Sequence, residues 1–162
     1  MKTKFELLSN IDLEYYCKLL KIPLVNILYK DLFKNIIPKE GCYIINLQSS
    51  DIGNGSHWTA LYLTKNVAVY YDSFGLSLPR PILRFVRRLN INIKIIYSVD
   101  QIQEINSIFC GWFCLYFLWF FSVLHKKCTN YGYLMNKHNS CFSLKNKHLN
   151  DRILRQLIKT IT

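Results

Sequence analysis

Four side chains in this sequence have the chemistry to open an acyl bond together: Cys110, His57, Asp72 and Gln103. A thiolate attacking an acyl carbon needs a base beside it, a group to orient that base, and donors for the oxyanion that forms. His57 is the candidate base, and later the acid for the leaving amine, with Asp72 to hold its tautomer and favour the imidazolium. Gln103 offers a side-chain amide that, with the backbone N–H of Cys110, can receive the negative oxygen. Gly111 removes bulk beside the sulfur and is expected to leave room for substrate. Cys110 opens an apolar run, residues 109–124, that reads as a helix buried on all sides. Unpaired N–H groups and the positive end of a helix dipole lower the pKa of a thiol in the first turn, so Cys110 is expected to be reactive. The run falls short of the ~20 residues of a membrane span, so no membrane association is expected.

The elements that must hold these groups are strands upstream and a helix downstream. Residues 41–47 read as a buried strand, a polar loop follows at 49–56, and residues 57–63 and 67–72 read as a hairpin. If Lys65 and Asn66 form a two-residue turn, Thr64 pairs with Val67 and Thr59 lies opposite Asp72. His57 then shares a face with Thr59 as a diagonal neighbour of Asp72, at about 7–8 Å, within reach of a rotated side chain. Trp58, Ala60, Tyr62, Val69 and Tyr71 fall on one face and Leu61, Leu63 and Tyr70 on the other, which implies a sheet covered on both sides.

The remaining chain reads as scaffold. A helix starts at Ser9 or Asn10, places Leu13, Tyr16, Cys17 and Leu20 on one face and ends at Pro23. The segment 24–29 is ambiguous, and 30–39 reads as a short helix or loop. A short helix at 82–89 carries a basic stripe of Arg84, Arg87 and Arg88, and 91–98 reads as another strand. Residues 126–147 read as a polar loop, and a last helix, 147–161, aligns Leu149, Ile153, Leu157 and Ile161. His125-x-x-Cys128 and His138-x-x-Cys141 repeat a pairing of ligand types, but the spacing matches no common zinc site, so no metal is expected.

With 162 residues, 51% of them hydrophobic, the chain reads as one domain, 1–162, with a proper core. Residues 1–6 show no apolar leader, which implies a reducing compartment and free thiols for the six cysteines. The net charge of +11 suits a polyanion such as DNA. Part of the lysine excess has a blander source, because a chain rich in Lys, Asn and Ile with only Ala60 and Ala68 as alanines reflects AT-rich coding.

His57-Trp58, then Tyr71-Asp72-Ser73-Phe74-Gly75, then Gln103 with Asn106-Ser107 and Cys110-Gly111-Trp112-Phe113-Cys114, resemble the adenovirus maturation protease family and its relatives in viruses and virus-like transposons. The order His, acidic residue, Gln, Cys matches the wider clan that includes the SUMO-specific proteases, and the resemblance covers about residues 9–125. It implies an α+β fold, with a mixed sheet bearing His57 and Asp72 packed against a central buried helix bearing Cys110. It also implies a cysteine endopeptidase that cleaves viral or virus-like precursor proteins, such as capsid components, at glycine-containing sites. Carried over by position, His57, Asp72 and Cys110 are the triad, Gln103 the oxyanion donor with Gln101 as fallback, and Trp58 a wall of a narrow channel that favours glycine.

The adenovirus enzyme has Glu where this chain has Asp72, and its peptide activator is disulfide-bonded to a cysteine between the acidic residue and the nucleophile. This chain has no cysteine between Asp72 and Cys110, so that linkage is not expected, whereas DNA as an activator is compatible with the charge. No other cofactor is implied. The resemblance places such a protein inside a host cell, in the nucleus or a virus factory, or packaged in the virion. The alternatives are an isopeptidase for ubiquitin-like proteins and an inactive basic protein of the same fold that binds DNA or serves as a scaffold.

Overall fold

The computed structural model describes residues 5–53 and 56–162. Most of the leader reading and two positions of the polar loop, residues 1–4 and 54–55, lie outside the described residues. Apolar and β-branched runs give five strands: β1 (Leu24–Tyr29), β2 (Gly41–Asn46), β3 (Trp58–Leu63), β4 (Val67–Tyr71) and β5 (Lys94–Tyr97). They form one mixed sheet in the order β1-β2-β3-β4-β5, antiparallel in the middle and parallel at both edges. The segment left ambiguous at 24–29 is thus an edge strand, with an irregularity between Leu24 and Asn26.

The hairpin has the expected register. Ala60 pairs with Tyr71 and Leu63 with Ala68, the Thr64 N–H donates to Val67 O at 2.9 Å, and the same register sets Thr59 opposite Asp72. Each face of the sheet packs its own core. Ala60, Val69 and Tyr71 join the larger cluster, whereas Leu61, Leu63 and Tyr70 pack with Phe33, Ile82 and Phe85. The second cluster is closed by α2 (Arg80–Leu89), which begins two residues before the expected 82, with Pro81 in its first turn. Arg88 of the expected basic stripe is not simply solvated, because its guanidinium donates to the carbonyls of Phe33, Lys34 and Ile36 and ties α2 to the 3-10 turn Lys30–Asn35.

The larger core is built around α3 (Cys110–Trp119), on which Trp112, Phe113, Leu115, Phe117 and Leu118 are fully buried. The apolar run is not one regular helix: at Phe120–Leu124 it widens into a π-turn, closed by the His125 N–H on Phe120 O at 3.1 Å. Three further helices wrap α3: α1 (Asn10–Leu19), α4 (Tyr131–Asn139) and α5 (Asn150–Ile161). Ser9 starts α1 through a reciprocal pair with Asp12.

Two expectations for the C-terminal third fail. The 126–147 loop contains α4, started by the Asn130 side chain accepting from the Tyr133 N–H at 3.1 Å and held by Leu134, Met135 and His138 at helical spacing. Its Gly, Tyr and Asn content hid that periodicity. In α5 the fully buried stripe is Asn150, Leu154 and Ile158, one position on from the aligned set, and Leu149 is exposed. A buried asparagine at the head of the stripe made the true face look polar. Among the described residues, no helix is long and apolar enough to cross a membrane.

Candidate active site

Strand register alone brings His57 and Asp72 together. His57 precedes β3 directly, its carbonyl accepting from the Leu47 N–H at 3.0 Å, and Asp72 follows β4 directly. His57 Nε2 meets Asp72 Oδ1 at 2.8 Å, and the same oxygen accepts from the Phe74 N–H at 2.8 Å. Asp72 is 1% exposed, and its second oxygen, Oδ2, is buried with no hydrogen-bond partner among the described residues. The Phe74 ring stacks on the imidazole, centroids 4.5 Å apart, and fixes its plane. The turn that carries Phe74 needs glycine: Gly75 sits at φ +74°, and a Cβ there would come 2.5 Å from Val99 O.

Cys110 is the first residue of α3 and is 6% exposed. Burial pushes the His57 pKa down, but hydrogen bonding to Asp72 and Cys110, with their charges, outweighs it and raises the pKa to about 9. Because Asp72 occupies Nε2, Nδ1 is the nitrogen left to face the thiol. Cys114, one turn further on, is a core residue whose thiol complete burial pushes well up. Cys17 and Cys42 are buried too, and burial raises each to about 12.

The start of α3 is fixed from a distance. Ser107 Oγ donates to Asp151 Oδ1 of α5 at 2.8 Å and accepts from the Phe109 N–H at 3.2 Å. Asn150, wholly buried, donates from Nδ2 to Ile102 O at 2.7 Å and to Ser143 O at 2.9 Å, and accepts from the Ser143 N–H at 2.8 Å. Gln103 joins the two halves. Its Oε1 accepts from Ser73 Oγ at 2.6 Å, its Nε2 donates to Ser107 O at 2.7 Å, and its own N–H donates to Ser73 O at 2.9 Å. Gln101 supports it, Nε2 donating to Gln103 O at 3.1 Å.

A groove of about 430 Å³ opens onto Cys110, His57 and Trp58, with apolar walls from Leu7, Leu8 and Ile27. Gln103, 1% exposed, does not line this groove. Gly111 does not serve it either. A Cβ there would lie 3.2 Å from Leu8 Cβ and 3.3 Å from Leu13 Cδ2, so the missing side chain makes room for the N-terminal segment and not for substrate. Trp58 lines the groove while its indole N–H donates to Leu8 O at 3.0 Å.

The residue types alone did not single out Phe74, Ser73, Asn150, Asp151 or Leu8 as parts of the site. The one signal for the first two was the tight Asp72-Ser73-Phe74-Gly75 turn. Of the paired His and Cys residues of the tail, His125, His138 and Cys141 pack against Tyr116 and Phe120. His138 is wholly buried among the rings of Tyr71, Tyr116 and Phe117, with burial lowering its pKa to about 4, and among the described residues no three His, Cys, Asp or Glu side chains are grouped to hold a metal ion.

No protein-family model matches the chain, and no curated protein matches its sequence. Among solved structures, the chain is similar to the ASFV pS273R protease, in one structure at 14% identity and TM-score 0.49, covering 80% of this chain and 55% of that one. A selenomethionine form of that protease gives 18% identity and TM-score 0.42, over 70% of this chain and 41% of that one. The chain therefore spans about half the length of these proteases. The central domain of the Lpg1148 protein from Legionella pneumophila matches at 16% identity and TM-score 0.46, over 90% of this chain and 92% of that one. At these identities and TM-scores the similarity carries no argument about chemistry, which has to be read from Cys110, His57 and Asp72 themselves.

Proposed function

We propose that this protein is a cysteine peptidase in which Cys110 attacks, His57 moves the proton and Asp72 orients His57. The observation that carries this is His57 held by Asp72 on Nε2 and interacting with Cys110, at the floor of a groove. In the first step the Cys110 thiol gives its proton to His57, Sγ bonds to the scissile carbonyl carbon as the C=O π bond opens, and the oxyanion that forms is met by the Cys110 backbone N–H, which at a helix start has no intrahelical acceptor. We propose the second hydrogen of Gln103 Nε2 as the other donor, since only one is used by Ser107 O; because the side chain lies behind the groove lining, this role requires substrate binding to uncover it. The C–N bond breaks as His57 gives its proton to the leaving amine, leaving a thioester on Cys110. His57 then takes a proton from water, the hydroxide displaces the thiolate, and the acid product leaves.

For the substrate we propose precursor proteins of a virus or virus-like element, cut beside glycine, with Trp58 narrowing the channel. The support is the residue pattern around His57, Asp72 and Cys110 together with Trp58 on the groove wall. The charge of +11 supports DNA as a partner or activator, and the intracellular or virion setting follows from the same reading.

The test is alkylation by iodoacetamide at mildly acidic pH, with the label located by mass spectrometry, beside cleavage of a panel of glycine-rich peptides with and without DNA. The expected result is selective labelling of Cys110 that disappears in His57→Ala, and cleavage that disappears in Cys110→Ala. Equal, slow labelling of all six cysteines with no cleavage under either condition would overturn the assignment.

A further inference from the structure

The two catalytic side chains come from separate elements, the head of β3 and the head of α3, and one short stretch of chain touches the neighbours of both. Residues 5–9 lie across this seam. The Trp58 indole N–H, next to His57, donates to Leu8 O at 3.0 Å, and the Trp112 indole N–H, two residues past Cys110, donates to Glu6 O at 2.8 Å. Between those tethers the Leu8 side chain, 5% exposed, fills the notch left by Gly111. The segment is pinned at both ends. Phe5 packs on Trp112 with centroids 4.8 Å apart and lies under the Arg155 guanidinium, which also covers Phe109 at 4.7 Å. At the other end Ser9 is locked into α1 by its reciprocal pair with Asp12.

We infer that residues 5–9 are a strap that positions Cys110 against His57, with Leu8 as the positioning residue. An indole N–H on each side of the seam is spent on the strap's main chain, so the distance between the heads of β3 and α3 is set through Glu6 O and Leu8 O. The side chain of Leu8 works as a wedge whose seat exists only because residue 111 is glycine. Leu7 and Leu8 also line the groove, so the same strap sets the width available to a substrate. This role rests on the peptidase reading for its consequence in catalysis, but not for its geometry. The strap would place the pair whether or not the pair cuts peptides.

The test compares wild type with Leu8→Ala, which empties the Gly111 notch, and Trp112→Phe, which keeps a smaller aromatic ring and removes the tether to Glu6. Three quantities are read on folded samples: the titration of His57 by NMR, the rate of Cys110 alkylation at mildly acidic pH, and peptide cleavage. A control, Phe85→Leu in the opposite core, matches the loss of thermal stability without touching the strap. Both strap variants are expected to move the His57 titration down from about 9 and to slow Cys110 alkylation about 10-fold or more, since small misplacements of reacting groups cost that much. The control is expected to leave both within twofold of wild type, and a synthetic peptide of residues 5–10 added in trans to Leu8→Ala should recover part of the rate. Strap variants that are folded yet keep His57 titration and Cys110 rate at the wild-type values would overturn the strap. If wild type cuts no peptide while the strap variants still shift His57, the peptidase reading falls and the strap stands.

Discussion

The two halves of the site are built by different means. His57 and Asp72 are brought together by a two-residue turn and the register that follows from it, with Phe74 and Gly75 in the next turn completing the job. Cys110 is placed by partners far away in sequence: Asp151 through Ser107, Asn150 through the Ile102 carbonyl, and Glu6 through Trp112. A hairpin holds its geometry as long as the strands pair, so the base half is a local structure. The Cys110 half exists only when residues 5–9 and α5 have docked on α3. Assembly of the thiol is therefore the step most exposed to distant mutation.

Removal of the base gives the largest expected effect. His57→Ala leaves the hairpin intact and Cys110 without a proton acceptor, and should lower peptide cleavage by about 10²–10⁴-fold. Asp72→Asn comes next. The amide oxygen can keep the contacts with Nε2 and the Phe74 N–H, with the amide nitrogen at the Oδ2 position, but the charge that favours the imidazolium is lost. A loss at the lower end of that range, about 10²-fold in cleavage, is expected, with the His57 titration moving down. Far-UV circular dichroism should be unchanged in both. If either variant unfolds the hairpin, the base half is not the self-sufficient unit described above.

A change at the other end of the chain should reach the thiol without reaching the base. Asn150→Ala removes three hydrogen bonds from a wholly buried side chain and strands the Ile102 and Ser143 carbonyls and the Ser143 N–H. A loss of about 1–3 kcal/mol is expected from a denaturant midpoint. The Cys110 alkylation rate should fall with it, while the contact of His57 with Asp72 stays as in wild type by NMR. Equal disturbance of both contacts would mean that the halves are one cooperative unit.

The same contrast explains what could be read in advance. Lys65-Asn66 between two apolar runs is a local signal, and from it followed the Thr59 and Asp72 pairing, the two covered faces and the reach of His57. The Ser9 cap and the helix start at Cys110 were likewise local. What escaped was non-local or disguised. Asn150, left out of the aligned stripe, is the buried end of the α5 face, and α4 hid behind a Tyr-Gly-Tyr opening. Gly111 was read for its position beside the sulfur, yet its lack of a side chain is used by Leu8, more than a hundred positions earlier. No periodicity within a window can report such a contact.

The smallest expected effect separates two histidines by the sign of their pH dependence. In the folded chain the His57 pKa lies at about 9, above the ordinary 6.5, because Asp72 and Cys110 face it and outweigh its burial. The folded state then binds a proton that the unfolded chain has lost, so this contribution is fully present below about 6.5 and disappears as pH rises through about 9. His138 has the opposite sign. Burial among Tyr71, Tyr116 and Phe117 lowers it to about 4, so its contribution is present above about 6.5 and is lost as pH falls toward 4. Denaturant midpoints collected from pH 4 to 10 should give a His57→Gln minus wild-type difference that changes only on the alkaline limb. A His138→Gln difference should change only on the acid limb. Cys110→Ala should shift the alkaline limb to lower pH, since one of the two groups that raise His57 is then gone. An alkaline limb that ignores Cys110 would mean that Asp72 alone sets the imidazole, and that thiol and base are not a coupled pair in the resting protein.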